Sequence, residues 1–180
     1  KDLQALLIEM EPTGGIGFFG AGVGTDAKNS NVNVINLGPG GVGLPDRDYY
    51  VSDEKDSKEK REKYVLHVAK MLQYLGDKPE VAKANAEKIL ALEIEMSKPR
   101  FDRVERRDRR KSYNPMTVAE IQKLTPSIDW TTYFTKIGLP TNQTIIVSQP
   151  KYMTALETLF KENKVDDWKA YMRWSLLNRA

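Results

Sequence analysis

Two amphipathic stretches lie back to back between Lys55 and Lys98, parted only by the short break Gly76-Asp77-Lys78-Pro79, and nothing else in the sequence limits the fold as strongly. From Lys55 to Leu75 the chain is charged at first. It then places Tyr64, Val68, Met71 and Leu75 on one face, with Val65 and Leu72 beside them. Gly76 suits the residue just past a helix end, and Pro79 suits the first turn of the next helix. The second stretch carries Ala82, Ala86, Ile89, Leu90 and Met96 on one side, and Pro99 ends it. Such a pattern predicts two consecutive helices.

The flanks extend the pattern. Leu3, Leu6, Leu7 and Met10 share a helical face, stopped by Pro12-Thr13-Gly14-Gly15. Phe18–Gly24 and Val32–Leu37 read as a β-hairpin, with turn chemistry from Thr25 to Asn31 between them. A Gly/Pro-rich loop covers 38–46. Arg100–Ser112 is charged without a clear period. Thr117-Val118-Ala119-Glu120 is a capping box, in which hydroxyl and carboxylate each satisfy a free backbone N–H. Asp129 can cap a short helix carrying Trp130, Tyr133 and Phe134, and Thr144–Val147 reads as a short strand. Pro150–Glu162 is helical, with Tyr152, Leu156, Leu159 and Phe160 inward. A last helix carries a stripe of Val165, Trp168, Met172 and Leu176. The expected class is mainly α: a multi-helix domain with a small β-hairpin near the N-terminus. The hairpin and Gly-rich loop should occupy about 16–50, and the helical region about 55–180.

Several chemistries can be weighed against these residues. At 180 residues, the chain falls in the range of roughly 100–200 expected for one domain. No apolar run approaches the ~18 residues a membrane span needs, and no basic then apolar leader opens the chain. Lys1-Asp2-Leu3 lacks an initiator Met, so the chain reads as a trimmed or excised piece. With 28 basic and 25 acidic residues, overall charge does not propose a nucleic-acid partner. The basic run Arg100–Lys111 is interleaved with Asp102, Glu105 and Asp108, a pattern of local ion pairs. The absence of Cys excludes disulfides and thiolate zinc sites; it suits the cytosol or a bacterial envelope better than a disulfide-rich animal ectodomain. His67 is the sole histidine and sits off the apolar stripe of its helix. A zinc site of the usual kind, with two or more histidines, cannot be built, and a Ser-His-Asp triad has little support. No catalytic or metal-binding residue is therefore assigned.

Gly15–Gly20 and Gly38–Gly43 both match G-x-G-x-x-G. A dinucleotide fingerprint must follow a strand and open a helix. The first match follows a helix and enters a strand, and the second leads into Leu44-Pro45 and a loop. Tight turns and close packing are the better account.

Two sites merit naming. Glu93 falls on the inward stripe of its helix, where a carboxylate is costly unless paired. Arg106 or Arg107, shortly after that helix, is the expected partner; a general-base role would need a cleft and a second group. Asp46-Arg47-Asp48-Tyr49-Tyr50 mixes charge and aromatics after a tight loop. Arg47, Asp48 and Tyr49 could form a recognition surface, or a structural cap in which Arg47 pairs an Asp while the tyrosines pack.

The blocks Val23–Ser30 and Gly41–Tyr50 closely resemble the N-terminal region of neprilysin and endothelin-converting-enzyme-like zinc metallopeptidases. The resemblance continues through Ile89–Glu93, Arg107-Asp108 with Tyr113–Thr117, Ile128–Trp130, Pro150–Met153 and Tyr171–Trp174, in family order over nearly the whole chain. Pro39 departs from it, standing where the family has Gln before the double glycine. The resemblance implies a two-domain enzyme. A thermolysin-like domain holds zinc on a His-Glu-x-x-His helix plus a downstream Glu; zinc polarises the peptide carbonyl and a Glu activates water. A mostly helical domain caps it around a cavity that admits oligopeptides and excludes folded proteins. The chain looks like much of that lid and lacks both His-Glu-x-x-His and the Asn-Ala-x-Tyr substrate block. The implied cofactor is zinc in the full-length parent, with none held by this segment. The implied partners are the C-terminal catalytic domain and oligopeptide substrates, without nucleic acid or a membrane span. The implied setting is the bacterial periplasm or cell envelope, the cytosol being the alternative. The competing reading of a different class is a stand-alone helical binding module for a protein or peptide.

Overall fold

A computed structural model describes residues 2–179. The chain divides into two compact units that do not follow sequence order. Lys1–Gly41 joins Phe101–Phe160, and Val42–Arg100 joins Lys161–Ala180.

In the first unit, α1 (Asp2–Met10) runs into a 3-10 turn at Glu11–Thr13, followed by β1 (Phe19–Asp26) and β2 (Asn29–Pro39). In the second, α2 (Asp48–Val51) precedes the two long helices α3 (Lys55–Tyr74) and α4 (Pro79–Ser97). The chain then returns to the first unit with α5 (Arg103–Arg107), α6 (Arg109–Ser112), β3 (Asn114–Met116), α7 (Val118–Leu124), α8 (Trp130–Lys136), β4 (Ile145–Val147) and α9 (Pro150–Glu162). It ends with α10 (Val165–Leu177) in the second. The mainly helical class holds, with a small sheet.

That sheet is larger than a hairpin. Its strand order is β1-β2-β4-β3, with β2 and β4 parallel and the other pairs antiparallel. In β2, Ile35 and Leu37 point inward and Asn36 outward, the period-two alternation of a half-buried strand. The strand at 144–147 therefore belongs to the same sheet. The hairpin turn is also tighter than its polar residues suggested. It comprises Ala27 and Lys28 alone, and the Asp26 side chain accepts from the Lys28 N–H at 2.9 Å. Asn29–Asn33 are exposed strand residues, all polar but Val32, and cross-strand pairing outweighs the turn preference of the asparagines and Ser30.

The first unit's core is aromatic. Trp130, Tyr133 and Phe134 of α8 are fully buried, and Phe19 of β1 lies 4.8 Å and 5.3 Å, ring to ring, from Trp130 and Tyr133. Both expected caps form. Asp129 accepts from the Thr132 N–H at 2.9 Å, and Thr117 and Glu120 complete a capping box on α7. The charged segment 100–112, which shows no period, becomes two one-turn helices. Each starts at an aspartate, Asp102 or Asp108, whose side chain accepts a backbone N–H. Helices this short bury no stripe, so periodicity could not reveal them. Glu157, buried on α9, accepts from the N–H and hydroxyl of Ser127, both at 2.9 Å.

In the second unit α3 and α4 are the two expected helices, and they pack against each other as a hairpin. Gly76 sits at φ 94°. Its N–H donates to Gln73 O and the Asp77 N–H donates to Leu72 O, closing a Schellman motif. Gly76→Ala forces a Cβ into the left-handed region and should lower stability by about 1 kcal/mol, read from the denaturant midpoint. An unchanged midpoint would contradict that reading of the turn.

The inward stripes shift from expectation in detail. On α3, Tyr64, Val68 and Leu72 are buried, but Leu75 is 50% exposed. On α10 Trp168 of the expected stripe is buried, but Ala170, Tyr171 and Trp174 take the inward places expected for Val165, Met172 and Leu176. Two large aromatics three residues apart set the rotation of the helix, because they hold more apolar area than Val165 and Met172.

Candidate functional site

Glu93 lies on the face of α4 that also carries Ile89, Leu92 and Met96, and it is 1% exposed. A carboxylate at such a core position is tolerated only if donors surround it. The Gly43 N–H donates to Oε1 at 3.0 Å, and the Tyr50 hydroxyl donates to Oε2 at 2.8 Å. The Tyr64 hydroxyl also hydrogen-bonds the carboxylate. Each phenol is held in turn: the Leu44 N–H donates to Tyr50 Oη at 2.7 Å, and Trp174 Nε1 donates to Tyr64 Oη at 2.6 Å. Five residues from three helices and one loop thus converge on one acid.

The electrostatics follow from burial. Desolvation pushes the Glu93 carboxyl above its ordinary range, against the opposing pull of Tyr64, Tyr50, the Gly43 N–H and the Arg100 charge. Tyr50 and Tyr64 are also driven upward, first by desolvation and then by the nearby Glu93 charge, so both stay protonated donors at physiological pH. Expectation and structure agree that Glu93 is buried but differ on its partners. Two hydroxyls and a backbone N–H serve it, with Arg100 as the nearby cation. Arg106 and Arg107 instead sit exposed in the last turn of α5, in the other unit. Helix α4 ends before that segment starts, and α5 belongs to a different core.

Glycine makes the cluster feasible. A Cβ on Gly43 would come within 1.9 Å of Tyr64 Oη, so only a residue without a side chain admits the phenol. In the first unit, a Cβ on Gly40 would meet Gly17 O at 2.4 Å. Both Gly-rich stretches therefore serve close packing.

The loop after Gly43 is a built corner. The Asp46 side chain accepts from the Asp48 N–H at 3.2 Å. Arg47 Nη1 lies 3.5 Å from Asp48, and Nη2 donates to Lys98 O at 3.4 Å. Tyr49 is half-buried under the Lys60 ammonium, 4.4 Å from its ring centre. Arg61 Nη1 donates to the carbonyls of Tyr49, Tyr50 and Ser52, capping the one-turn helix α2. Sequence reasoning found Glu93 and the loop but missed Arg61, Tyr64 as a ligand of Glu93, and Trp174. The one available signal was spacing: Arg61 and Tyr64 lie three apart on the face of α3 that carries its core.

Chemically this is a closed knot. Its carboxylate is out of reach of solvent, whereas a general base must reach the proton it takes. Among the described residues no three His, Asp or Glu side chains cluster so as to hold a metal ion. His67 is exposed, its ring edge-on to Trp174 at 5.8 Å. The side chains gathered here do not fit a zinc centre.

With that geometry in view, the family model for the N-terminal part of peptidase family M13 matches residues 1–180. The chain belongs to peptidase family M13. Endothelin-converting enzyme 1 of Cavia porcellus is 31% identical over 168 residues, which is 91% of this chain and 22% of that protein. Neprilysin-3 of Drosophila melanogaster is 25% identical over 87% of this chain and 21% of its own length. Among solved structures, zinc metalloprotease ZMP1 of Mycobacterium tuberculosis in its open state superposes with a TM-score of 0.88 at 30% identity, covering 97% of this chain and 27% of that one. PEPO of Lactobacillus rhamnosis HN001, 16% identical with a TM-score of 0.80, shares the fold. The chain thus spans about a fifth of the curated relatives' length. Gly43, Leu44, Tyr50 and Glu93, which sit in the blocks that carry the M13 resemblance, are the residues that build the knot.

Proposed function

We propose that this M13 segment is the non-catalytic lid of a zinc metalloendopeptidase that hydrolyses oligopeptides within a closed cavity. The observation that carries the reading is the match of all 180 residues to the N-terminal M13 model by a chain with one histidine and no cysteine. Zinc and its ligands would be supplied by a C-terminal catalytic domain of the same protein. The lid would select substrates by size and exclude water from the reacting bond. Arg47, Asp48 and Tyr49, tied into the corner over α4, would keep the lid's shape rather than touch substrate; Glu93 would do so from beneath, and Arg107 would remain a surface charge. An extracytoplasmic setting follows from the family resemblance. No described helix is long and apolar enough to cross a membrane.

The test is direct. The purified chain, with and without added zinc, is incubated with a panel of oligopeptides; no cleavage is expected. The same lid joined to a domain bearing His-Glu-x-x-His should cleave them, and a chelator should abolish the activity. Chelator-sensitive cleavage by the 180-residue chain alone would overturn the assignment.

A further inference from the structure

The hairpin turn of the first unit is tied to the joint between α6 and β3. The Tyr113 hydroxyl donates to Asp26 Oδ2 at 3.2 Å, while Asp26 Oδ1 accepts the Lys28 N–H at 2.9 Å. This junction leaves a recess of about 210 Å³ lined by Ala27, Lys28, Arg109, Arg110 and Tyr113. Its three cations are not equivalent. Arg110 is neutralised: Nε and Nη2 hold Asp108 at 3.1 Å and 3.2 Å, and this contact keeps the Asp108 carboxyl below its ordinary range. Lys28 and Arg109 have no carboxylate partner among the described residues. The Lys28 ammonium instead stands 4.2 Å above the centre of the Tyr113 ring, a cation–π contact that places it over the recess.

We infer that this recess binds a single carboxylate, the acidic side chain of a peptide. Arg109 supplies a fork of parallel N–H donors that matches a carboxylate, and Lys28, lining the same recess, supplies a point charge. Asp26, Asp108 and Glu105 lie around the same junction, Glu105 through its ion pair with Lys111 at 3.2 Å. That surround accommodates one negative charge and repels a polyanion, so a nucleic-acid strand is the poorer ligand. The inference concerns binding alone and stands apart from the lid assignment.

The isotopically labelled chain is titrated with a capped tetrapeptide bearing one Glu, with its Gln counterpart, and with a short single-stranded oligonucleotide. The Glu peptide should shift the amides of Ala27, Lys28 and Arg109–Tyr113 saturably. The Gln peptide should bind about tenfold more weakly, the loss of one charge-assisted hydrogen-bond pair. The K28A/R109A double variant touches only exposed side chains and should keep the wild-type fold, checked by its amide spectrum. It should weaken the Glu peptide about tenfold, while R110A leaves binding within about twofold. Equal affinity for Glu and Gln peptides, or a double variant that binds as wild type, overturns the site. Tighter binding of the oligonucleotide than of the Glu peptide overturns its assignment to a carboxylate.

Discussion

Glu93→Ala should lower the stability of the chain by about 3–5 kcal/mol, the effect expected when a buried acceptor is removed from donors that cannot reach water. The substitution strands the Gly43 N–H and the Tyr50 and Tyr64 hydroxyls and opens a cavity on the buried face of α4. Loss of amide protection should start in α3, α4 and α10, and thermal or denaturant unfolding measures the total. A change below about 1 kcal/mol would mean that the knot does not organise this unit.

Glu93→Gln separates the charge from the shape. Burial raises the folded-state pKa above the unfolded value of about 4.3. A group with a raised folded pKa contributes its full stabilisation below the unfolded value and loses it as pH climbs through the folded one. The advantage of wild type over Glu93→Gln should therefore shrink from about pH 4 upward. Paired denaturation curves across that range check the sign, and a constant gap would show that the carboxyl does not titrate in this way.

The second large effect belongs to the other unit. Trp130→Ala should destabilise by about 3–5 kcal/mol, as for other large aromatics deleted from a packed core. Trp130 is fully buried against Phe19, Tyr133 and Phe134, and its Nε1 donates to Thr125 O at 3.3 Å. Trp130→Phe should retain more than half of that stability, because ring packing outweighs one neutral hydrogen bond. If the Phe variant were as damaged as the Ala variant, the indole hydrogen bond would be the dominant contact.

Much of this architecture was legible because it is local. The two long helices, the Gly76 cap, the Thr117 box and the Asp129 cap each declare themselves in local sequence. What stayed hidden is non-local. β2 and β4 pair in parallel across more than a hundred residues, a partnership that no window of sequence contains. The position of Glu93 announced a buried acid, but its ligands come from Gly43, Tyr50 and Tyr64, up to fifty residues upstream. An arginine shortly downstream was therefore the natural but mistaken partner. On α10 the stripe places Trp168 correctly but not its other members, because hydrophobicity alone does not rank Val165 and Met172 below Tyr171 and Trp174; the volume each must bury does.

The discontinuous make-up of the two units sets a timetable for synthesis. The helices between Val42 and Arg100 leave the ribosome early, yet the indole that buttresses Tyr64 is at position 174. Likewise β2 emerges long before its neighbour β4. Neither core can be sealed until its late elements have been translated, so nascent intermediates should present Tyr64 and the face of β2 to chaperones until Trp174 and β4 emerge.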